Sequence, residues 1–162
     1  MTELVIRPAR PGEASRLGDL GFAAWAASEF GRADAGRTDR QALLDQFRSF
    51  GDTYGQTMLV AEEDGELVGW GAREDGDALI SDLWVGPEYQ GRGVGGALLA
   101  ALESQIVAAG YAIAELETLA SNVRAIQFYE QHGFMIAWRG EKFSSSLGYA
   151  IDKVGMNKSL IV

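Results

Sequence analysis

A cluster of glycines beside an arginine is the part of this sequence best suited to bind an anion. It lies where a predicted strand is followed by a predicted helix, and it reads Leu83-Trp84-Val85-Gly86-Pro87-Glu88-Tyr89-Gln90-Gly91-Arg92-Gly93-Val94-Gly95-Gly96. Glycines at a helix N-terminus let a ligand approach the backbone, and the free N–H groups there act with the helix dipole to attract phosphate. Arg92 adds a positive charge in a chain whose net charge is −9. The pattern therefore predicts an anion-binding turn.

Several interpretations of this turn compete. A P-loop would need Gly-Lys followed by Ser or Thr, which the segment lacks. The dinucleotide fingerprint G-x-G-x-x-G matches Gly91, Gly93 and Gly96, and Glu115 and Glu117 lie about 20 residues onward, where that fold places an acid for the ribose. However, a loop separates the strand from the first glycine, and the preceding strands are predicted hairpins rather than parallel βαβ units. A glycine-rich turn that only packs a helix against a strand is a further interpretation.

Three acids and one tyrosine are candidates for moving protons. Glu115 and Glu117 alternate with other residues in a predicted strand, so both carboxylates share one face, where their repulsion could raise one pKa toward that of a general base. Asp82 on a neighbouring strand is a second candidate, and a solvated strand face is the alternative for each. Asn122 and Tyr129 are seven residues apart in one predicted helix, so they share a face and lie about 10 Å apart at 1.5 Å per residue. Tyr129 is otherwise expected as a core aromatic.

Composition excludes several classes of site. The chain has no cysteine, which excludes a thiolate nucleophile, a disulfide and a cysteine-ligated metal, and its one histidine, His132, excludes a multi-histidine metal site. No loop carries the alternating carboxylates of a Ca²⁺ or Mg²⁺ site, so no metal is expected. The pI of about 4.6 argues against nucleic acid as a partner. No apolar run approaches the ~20 residues of a membrane span and the N-terminus lacks a signal-peptide pattern, so we expect a cytoplasmic protein without a membrane partner.

The periodicity of apolar residues predicts strands and helices within one domain that spans residues 1–162. Asp64-Gly65 is a two-residue hairpin pattern, so the strands around it are expected to be antiparallel. Thr38 and Gln41 have the spacing of a capping box and predict a helix start. The expected elements are strands at residues 4–7, 57–62, 67–72, 78–85, 111–119, 134–139 and 147–157, helices at 13–28, 38–50, 93–109 and 122–132, and a loop at 30–37.

The glycine turn resembles the signature of a known family. Gln90-x-x-Gly93-x-Gly95 is similar to the Q/R-x-x-G-x-G/A motif of the GNAT superfamily of N-acetyltransferases. Residues 121–134 resemble the N-x-x-A-x-x-x-Y-x-x-x-G-F pattern of the same family, at its usual separation from the first motif, and the order of elements matches from Leu4 to Asn157. The resemblance implies an α/β (α+β) fold with a mixed, mostly antiparallel sheet of about seven strands, a splayed central pair of strands and about four flanking helices.

By this resemblance the chain would be an N-acetyltransferase that uses acetyl-CoA as cosubstrate. The amides from Arg92 to Gly96 would hold the pyrophosphate, the backbone of residues 83–85 would pair with the pantetheine arm, and Asn122 would touch that arm. The residues expected to bind acetyl-CoA are Leu83, Trp84, Val85, Gln90, Gly91, Arg92, Gly93, Val94, Gly95, Gly96, Asn122 and Tyr129.

The resemblance also implies a direct mechanism, in which the acceptor amine attacks acetyl-CoA within a ternary complex. It assigns catalytic roles in this mechanism to particular residues. Tyr129 would protonate the departing thiolate, although a phenol of pKa about 10 can do so toward a thiol of about 8.5 only with positional help. Glu117 lies five residues before Asn122, where ribosomal-protein-type N-terminal acetyltransferases of this family carry a base. Asp82 and water are the alternatives to Glu117.

The acceptor is expected to be a primary amine of a small molecule or peptide, bound beside the first two helices and the 30–37 loop. His132 is expected at a helix C-terminus, where its charge suits the dipole. A non-catalytic acyl-CoA-binding module and an interaction protein with a degenerate pocket are the other function classes. The final strand, with Tyr149 and Ile151, could pair across a homodimer. Four tryptophans are expected in the core or the substrate wall: Trp25, Trp70, Trp84 and Trp138.

Overall fold

The computed structural model of the protein describes residues 3–34, 36–145 and 147–160. Its strands are β1 (Leu4–Pro8), β2 (Met58–Glu63), β3 (Glu66–Ala72), β4 (Leu79–Ile80), β5 (Asp82–Val85), β6 (Ile113–Leu119), β7 (Met135–Ser144) and β8 (Tyr149–Ser159). Its helices are α1 (Ala14–Ala27), α2 (Glu29–Arg32), α3 (Arg40–Tyr54), α4 (Val94–Ala108) and α5 (Val123–Gln131). Within these ranges, no helix combines the length and the apolar character that a membrane crossing requires.

The strands form two four-stranded sheets that part in the middle of the molecule. One has the order β1-β2-β3-β5 and is antiparallel throughout, and the other has the order β4-β6-β8-β7, in which only β4 and β6 run parallel. β4 and β5 are separated only by Ser81, whose N–H donates to the Ala72 carbonyl at 3.0 Å. The last partners of β4 and β6 are Ile80 and Leu116. Beyond this pair, β5 is hydrogen-bonded to β3 and β6 is hydrogen-bonded to β8, so a gap opens between β5 and β6.

This architecture confirms the predicted mixed α/β fold with a splayed central pair of strands. It differs from the prediction in the number of strands and in the number of helices. Residues 78–85 were expected as one strand, but the chain changes partner at Ser81, so eight strands form instead of seven. A change of pairing partner leaves no trace in the apolar pattern. The additional helix, α2, begins one residue before the expected loop and extends into it. Its first turn is capped because the Ser28 hydroxyl accepts from Gly31 N at 3.1 Å. One helical turn is too short to show a 3.6-residue period.

Helices cover both faces of the divided sheet. α4 lies on one face, where Leu98, Leu99 and Leu102 have no exposed surface. Each such leucine stabilises the fold by roughly 2 kcal/mol. α1 and α3 cover the other face above Trp70, whose indole N–H donates to the Leu17 carbonyl at 2.8 Å.

The start of α3 corrects one local prediction. Asp39 is its N-cap residue, since Asp39 Oδ1 accepts from Ala42 N at 3.0 Å. Thr38 is buried instead, and its hydroxyl donates to Asp34 Oδ1 at 2.7 Å. The predicted capping box at Thr38 and Gln41 is therefore wrong by one residue. Asp is as good an N-cap residue as Thr. Asp39 forms the cap here because the Thr38 hydroxyl is bonded to the buried carboxylate of Asp34.

The last strand lies inside its sheet. β8 is between β6 and β7, but only residues 153–159 pair with β6, and the part with Tyr149 and Ile151 pairs with β7 alone. Pairing of this strand across a homodimer stays a prediction. The Tyr149 hydroxyl donates to Asp34 Oδ1 at 3.1 Å, and Ile151 lines a cleft within the same chain. The edge strands of this sheet are β4 and β7.

Candidate functional site

The N-terminus of α4 has no side-chain cap. The helix begins after Gly93, and its first hydrogen bond is donated by Ala97 N to the Gly93 carbonyl at 3.1 Å. The N–H groups of the first turn therefore have no partner within the helix. α2, α3 and α5 differ, because Ser28, Asp39 and Asn122 cap their first turns. Uncapped N–H groups at the positive end of a helix dipole form an anion site.

The backbone of the preceding turn requires glycine at two positions. Gly91 has a φ of 78° and Gly93 a φ of 85°, in the left-handed region that costs other residues about 1–2 kcal/mol. At both positions nothing lies within 4 Å of the place a Cβ atom would take. The turn is thus open on its outer side, and a ligand can reach its backbone there.

The next two glycines serve helix packing. A Cβ atom on Gly95 would lie 3.2 Å from Phe128 Cζ, and one on Gly96 would lie 2.9 Å from His132 Nε2. His132 is fixed in this position because its Nδ1 donates to the Phe128 carbonyl at 2.8 Å. The small residues let the first turn of α4 pack on α5, with Val94 fully inside the core. The part of Gly95 and Gly96 that a ligand can reach is therefore the backbone N–H group.

Two polar side chains flank the glycine turn. Gln90 Nε2 donates to the Val85 carbonyl at 3.4 Å, which ties the turn to the end of β5. Arg92 pairs with Glu63 at 2.7 Å, and its guanidinium lies 5.6 Å from the centre of the Tyr89 ring. An anion at the turn would compete with Glu63 for Arg92. The main-chain amides are therefore its principal donors.

β5 presents an unpaired edge to the gap between the sheets. In an antiparallel pair, alternate residues bond to the partner strand. Gly86 N donates to the Val68 carbonyl at 2.8 Å, so the backbone groups of the preceding residue, Val85, point away from β3. The same alternation turns the backbone of Leu83 toward the gap and that of Trp84 toward β3. Of the three predicted strand residues, Leu83 thus offers both backbone groups at the open edge, and Val85 offers its N–H, because its carbonyl accepts from Gln90.

Asn122 lies at the mouth of the gap and has a structural role of its own. It is the N-cap of α5, where its Oδ1 accepts from Ala125 N at 3.1 Å. Asn122 also lines a cleft beside β5 and β6. Since the oxygen is taken by the helix, the side-chain NH₂ group is what Asn122 can offer to a ligand.

Tyr129 lies on the inner side of α5 and keeps its proton. Its ring packs edge-on against Phe128 and Phe134, with centroid distances of 5.2 and 5.9 Å. The hydroxyl forms no hydrogen bond with the described residues. Burial, with a smaller effect from the charge of Asp82, raises the pKa of Tyr129 to about 12. The side chain is thus the core aromatic that the sequence allowed, and its role as a proton donor stays a prediction.

Glu117 is engaged by lysines. Its Oε2 lies 3.0 Å from Lys142 Nζ and its Oε1 lies 3.5 Å from Lys153 Nζ. Glu115 is on the same strand face but is exposed. The charged groups closest to Glu117 are therefore cations. The prediction of a general base had relied instead on repulsion between Glu117 and the carboxylate of Glu115.

Asp82 is the carboxylate that remains free at the point where the sheets part. Burial raises the pKa of Asp82 above its usual 3.8, against hydrogen bonds from Trp84 and Ser81 that lower it, and the charge of Glu74 adds to the rise. Trp84 Nε1 donates to Asp82 Oδ1 at 3.2 Å. Asp82 takes part in none of the ion pairs that the described residues form. Of the two predicted bases, it is the one able to accept a proton without first losing a lysine.

A cleft of about 330 Å³ opens beside Asp82 on the side of α1 and α3. The parting ends of β5 and β6 form its floor, and α1, α2, α3 and β8 supply its walls. Its lining residues are Trp25, Ser28, Phe30, Leu43, Gln46, Phe47, Phe50, Ser81, Asp82, Trp84, Glu117, Thr118, Leu119, Asn122, Ser144, Leu147, Ile151 and Lys153. A separate depression of about 410 Å³ at Ala14 and Asp45 contains none of the predicted site residues.

Three of the four tryptophans lie in the core or along the cleft, and the fourth does not. Trp25 and Trp84 line the cleft and Trp70 is in the core, as expected. Trp138 is 36% exposed and lies over Gly155 on the outer surface of β7, so its assignment to core or wall is wrong. Phe47 also lines the cleft, a role that the predicted helix at residues 38–50 did not indicate.

Comparison with known proteins places the chain in a family. The family model described as "Acetyltransferase (GNAT) family" matches residues 22–134. A GCN5-related N-acetyltransferase from Rhodopseudomonas palustris is 26% identical, with 96% of this chain and 95% of that chain covered and a TM-score of 0.75. The ribosomal-protein-S18-alanine N-acetyltransferase of Escherichia coli has the same fold at 21% identity, with 99% and 96% covered and a TM-score of 0.70.

A third structure of this fold, a putative acetyltransferase from Salmonella typhimurium, was determined with its cofactor acetyl-CoA. It is 19% identical, with 99% of this chain and 95% of that chain covered and a TM-score of 0.69. The family match covers most of the present chain, including the glycine turn, β5, β6 and α5. The chain belongs to the acetyltransferase (GNAT) family.

Proposed function

We propose that this protein transfers the acetyl group of acetyl-CoA to a primary amine by direct attack in a ternary complex. The observation that supports this most is the position of Asp82. This free carboxylate lies where β5 leaves β4, between the cleft and the gap that continues toward the uncapped turn of α4. A base in that position faces an acceptor on one side and a donor on the other.

The residues present fit acetyl-CoA. The N–H groups from Arg92 to Gly96 would bind its pyrophosphate, because they are uncapped and their outer side is open. The backbone groups of Leu83 and Val85 at the open edge of β5 suit an extended amide-containing arm, as an added strand would. The NH₂ group of Asn122 can donate to the same arm. When bound, acetyl-CoA supplies the acetyl group as a thioester that an amine can attack.

Asp82 would take the proton that the amine must lose. The amine nitrogen forms its bond to the acetyl carbon as the carbon–sulfur bond breaks, and the amine proton passes to the carboxylate. Because burial holds the pKa of Asp82 above the ordinary value, this carboxylate is a better base than an exposed aspartate. Glu117 would instead orient the floor of the cleft through its two lysine contacts.

Tyr129 would stabilise the departing sulfur. With a pKa of about 12 it keeps its proton, and full transfer to a thiolate whose acid has a pKa of about 8.5 would cost roughly 5 kcal/mol. A hydrogen bond from the hydroxyl to the sulfur avoids that cost. The charge of Asp82 helps to keep the pKa of Tyr129 high, so proton uptake by Asp82 makes Tyr129 a better donor just as the sulfur leaves.

Calorimetric titration with acetyl-CoA tests the binding half of this proposal. We expect binding by the wild-type chain and loss of binding in Gly93→Trp, whose side chain would occupy the open turn. Gly12→Trp is the matched control, because Gly12 also has a positive φ, of 86°, and open space around its Cβ position. Equal binding by both variants would place the ligand elsewhere, and binding of NAD with none of acetyl-CoA would revive the dinucleotide interpretation.

A turnover assay tests the catalytic half. Release of free CoA thiol is followed with a panel of primary amines, and the acetylated products are identified by mass spectrometry. Turnover with any amine, abolished in Gly93→Trp and kept in Gly12→Trp, supports the transferase. Tight acetyl-CoA binding with no turnover across the panel would favour a non-catalytic binding module.

A further inference from the structure

We infer that the acceptor is a small aromatic monoamine, in which a short linker joins one primary amino group to an aromatic ring. This inference rests on the proposed function and names the substrate class of the same site. It comes from the side chains that line the cleft, from their charges and from the distance between them.

The wall of the cleft is built from aromatic side chains of four different elements. Phe47 meets Trp84 edge to face with ring centroids 5.3 Å apart, and Trp25 meets Phe30 at 6.5 Å in the same arrangement. Phe50 continues the wall toward the core. Phe30, Phe50 and Trp84 keep part of their surface accessible from the cleft. Such edges and faces bind another ring through offset or edge-to-face contacts.

The size of the cleft limits the ligand. Its volume of about 330 Å³ is close to the lower end of the roughly 300–1,000 Å³ found for small-molecule sites. Leu147 and Ile151 close the side nearest β8 with further apolar surface. A ligand of one or two rings suits this volume, whereas a multi-ring aminoglycoside does not.

The charges leave room for one ammonium group. Lys142 and Lys153 neutralise Glu117, while Asp82 has no cationic partner among the described residues. The charged residues that line the cleft are Asp82, Glu117 and Lys153. A second ammonium group would therefore meet Lys153, or a Glu117 carboxylate that lysines already neutralise, which disfavours polyamines.

The spacing along β5 sets the linker between ring and amine. Asp82 and Trp84 are two residues apart on the same strand face, so their Cα atoms are separated by roughly 6.7 Å. An amino group at Asp82 and a ring against Trp84 and Phe47 are then joined by about two or three atoms. 2-Phenylethylamine and tryptamine have this design.

The first experiment compares acceptors at one pH by thiol release. We expect kcat/KM for 2-phenylethylamine and tryptamine to exceed that for n-butylamine and spermidine by about tenfold or more. L-Phenylalanine carries the same ring and also a carboxylate. A higher kcat/KM for L-phenylalanine than for 2-phenylethylamine would show that the acceptor is an amino acid and would overturn the inference. A preference for spermidine or n-butylamine would overturn the inference.

The second experiment measures binding of 2-phenylethylamine by calorimetry with CoA present, and needs no turnover. Phe30→Leu should weaken it about fivefold to tenfold and leave n-butylamine unchanged, and Phe50→Leu serves if Phe30→Leu does not fold. Phe143→Leu is the matched control, because Phe143 is 70% exposed and outside the cleft lining. Equal weakening by Phe143→Leu, or no effect of either cleft variant, would contradict the assignment of the ring to this wall.

The two proposals fail in distinguishable ways. Loss of the proposed function would appear as no acetyl-CoA binding and no acetylation of any amine in the panel. If acetyl-CoA binds at the α4 turn and a non-aromatic amine is the better acceptor, only the substrate class is wrong.

Discussion

The indole Nε1 of Trp84 donates a hydrogen bond to Asp82 Oδ1 at 3.2 Å. Both side chains project from the same face of β5, which bonds to β3 on one side and borders the gap on the other. The bond joins the aromatic wall of the cleft to its free carboxylate. It stabilises the ionised form of Asp82 and so limits the rise in pKa that burial causes.

Replacing Trp84 by Phe should therefore shift the pH dependence of catalysis. Phe keeps an aromatic ring in the wall but removes the N–H donor, so the pKa of Asp82 should rise further. Because the base must be ionised to act, the acid limb of the kcat/KM profile should move to higher pH. Trp138→Phe is the control, since that indole lies on the outer surface of β7. An acid limb that stays in place in Trp84→Phe would show that another group limits activity at low pH.

The two candidate bases can be separated by isosteric amides. Asp82→Asn should lower kcat by about 10²–10⁴, the range of a lost general base. Glu117→Gln should have a smaller effect on kcat, because both of its carboxylate oxygens contact lysines instead of the open cleft. Steady-state kinetics on both variants, with circular dichroism as a check of folding, gives the answer. The reverse order of effects would assign the base to Glu117.

Tyr129→Phe should lower kcat without weakening the fold. The ring contacts with Phe128 and Phe134 are kept, and the lost hydroxyl has no hydrogen bond to the described residues that unfolding would need to replace. We expect a fall in kcat of roughly 10², with the dissociation constant for CoA within about threefold of the wild-type value. Tyr111→Phe is the matched control, because Tyr111 is 43% exposed in the turn between α4 and β6 and does not line the cleft. An unchanged kcat in Tyr129→Phe would show that the departing sulfur is not stabilised by the Tyr129 hydroxyl.

The glycine turn could be predicted because its chemistry is local. The uncapped helix start, the left-handed Gly91 and Gly93 and the neighbouring Gln90 all follow from a few consecutive residues. The roles of Gly95 and Gly96 could not be predicted in this way. Their small size serves contacts with Phe128 and His132, which come from another helix.

The choice between Asp82 and Glu117 also depended on contacts between distant segments. Glu117 is opposite Gly155 in the β6–β8 register, which brings Lys153 of the same strand to its side, and β7 adds Lys142. Nothing in the spacing of charges along the chain indicates that register. The break of pairing at Ser81, which places Asp82 at the gap, is likewise a change of partner that the apolar pattern does not record.

Glu13 is a buried carboxylate at the start of α1 whose effect on stability can be measured against pH. Glu13 accepts two hydrogen bonds from the Arg7 guanidinium, at 3.0 and 2.7 Å, and one from Arg10 N at 2.7 Å. The Arg7 hydrogen bonds are the largest cause that lowers the pKa of Glu13 from 4.5 to about 2, against burial, which raises it. Arg7 also pairs with Glu62 at 3.1 Å. This cluster joins β1 and β2 to the start of α1.

The direction of the pH effect follows from the lowered pKa of Glu13. Stabilisation by its ionised form is complete above about pH 4.5 and is lost as pH falls toward 2. The side chains of Arg7 and Glu13 are only 10% and 7% exposed, so solvent screens the pair little, and the loss should approach roughly 3 kcal/mol. Urea unfolding from pH 7 to pH 2 should show this fall in the wild-type protein.

Glu13→Gln should remove most of that pH dependence and lower the free energy of unfolding at pH 7, because Arg7 keeps only Glu62 as a partner for its buried charge. Glu88→Gln, at an exposed position, should leave both quantities as in the wild type. If Glu13→Gln and the wild type lose stability in parallel between pH 4.5 and 2, the acid sensitivity comes from other carboxylates. The Arg7–Glu13 pair would then be a positioning contact for α1 with little net effect on stability, as buried ion pairs can be when desolvation cancels their attraction.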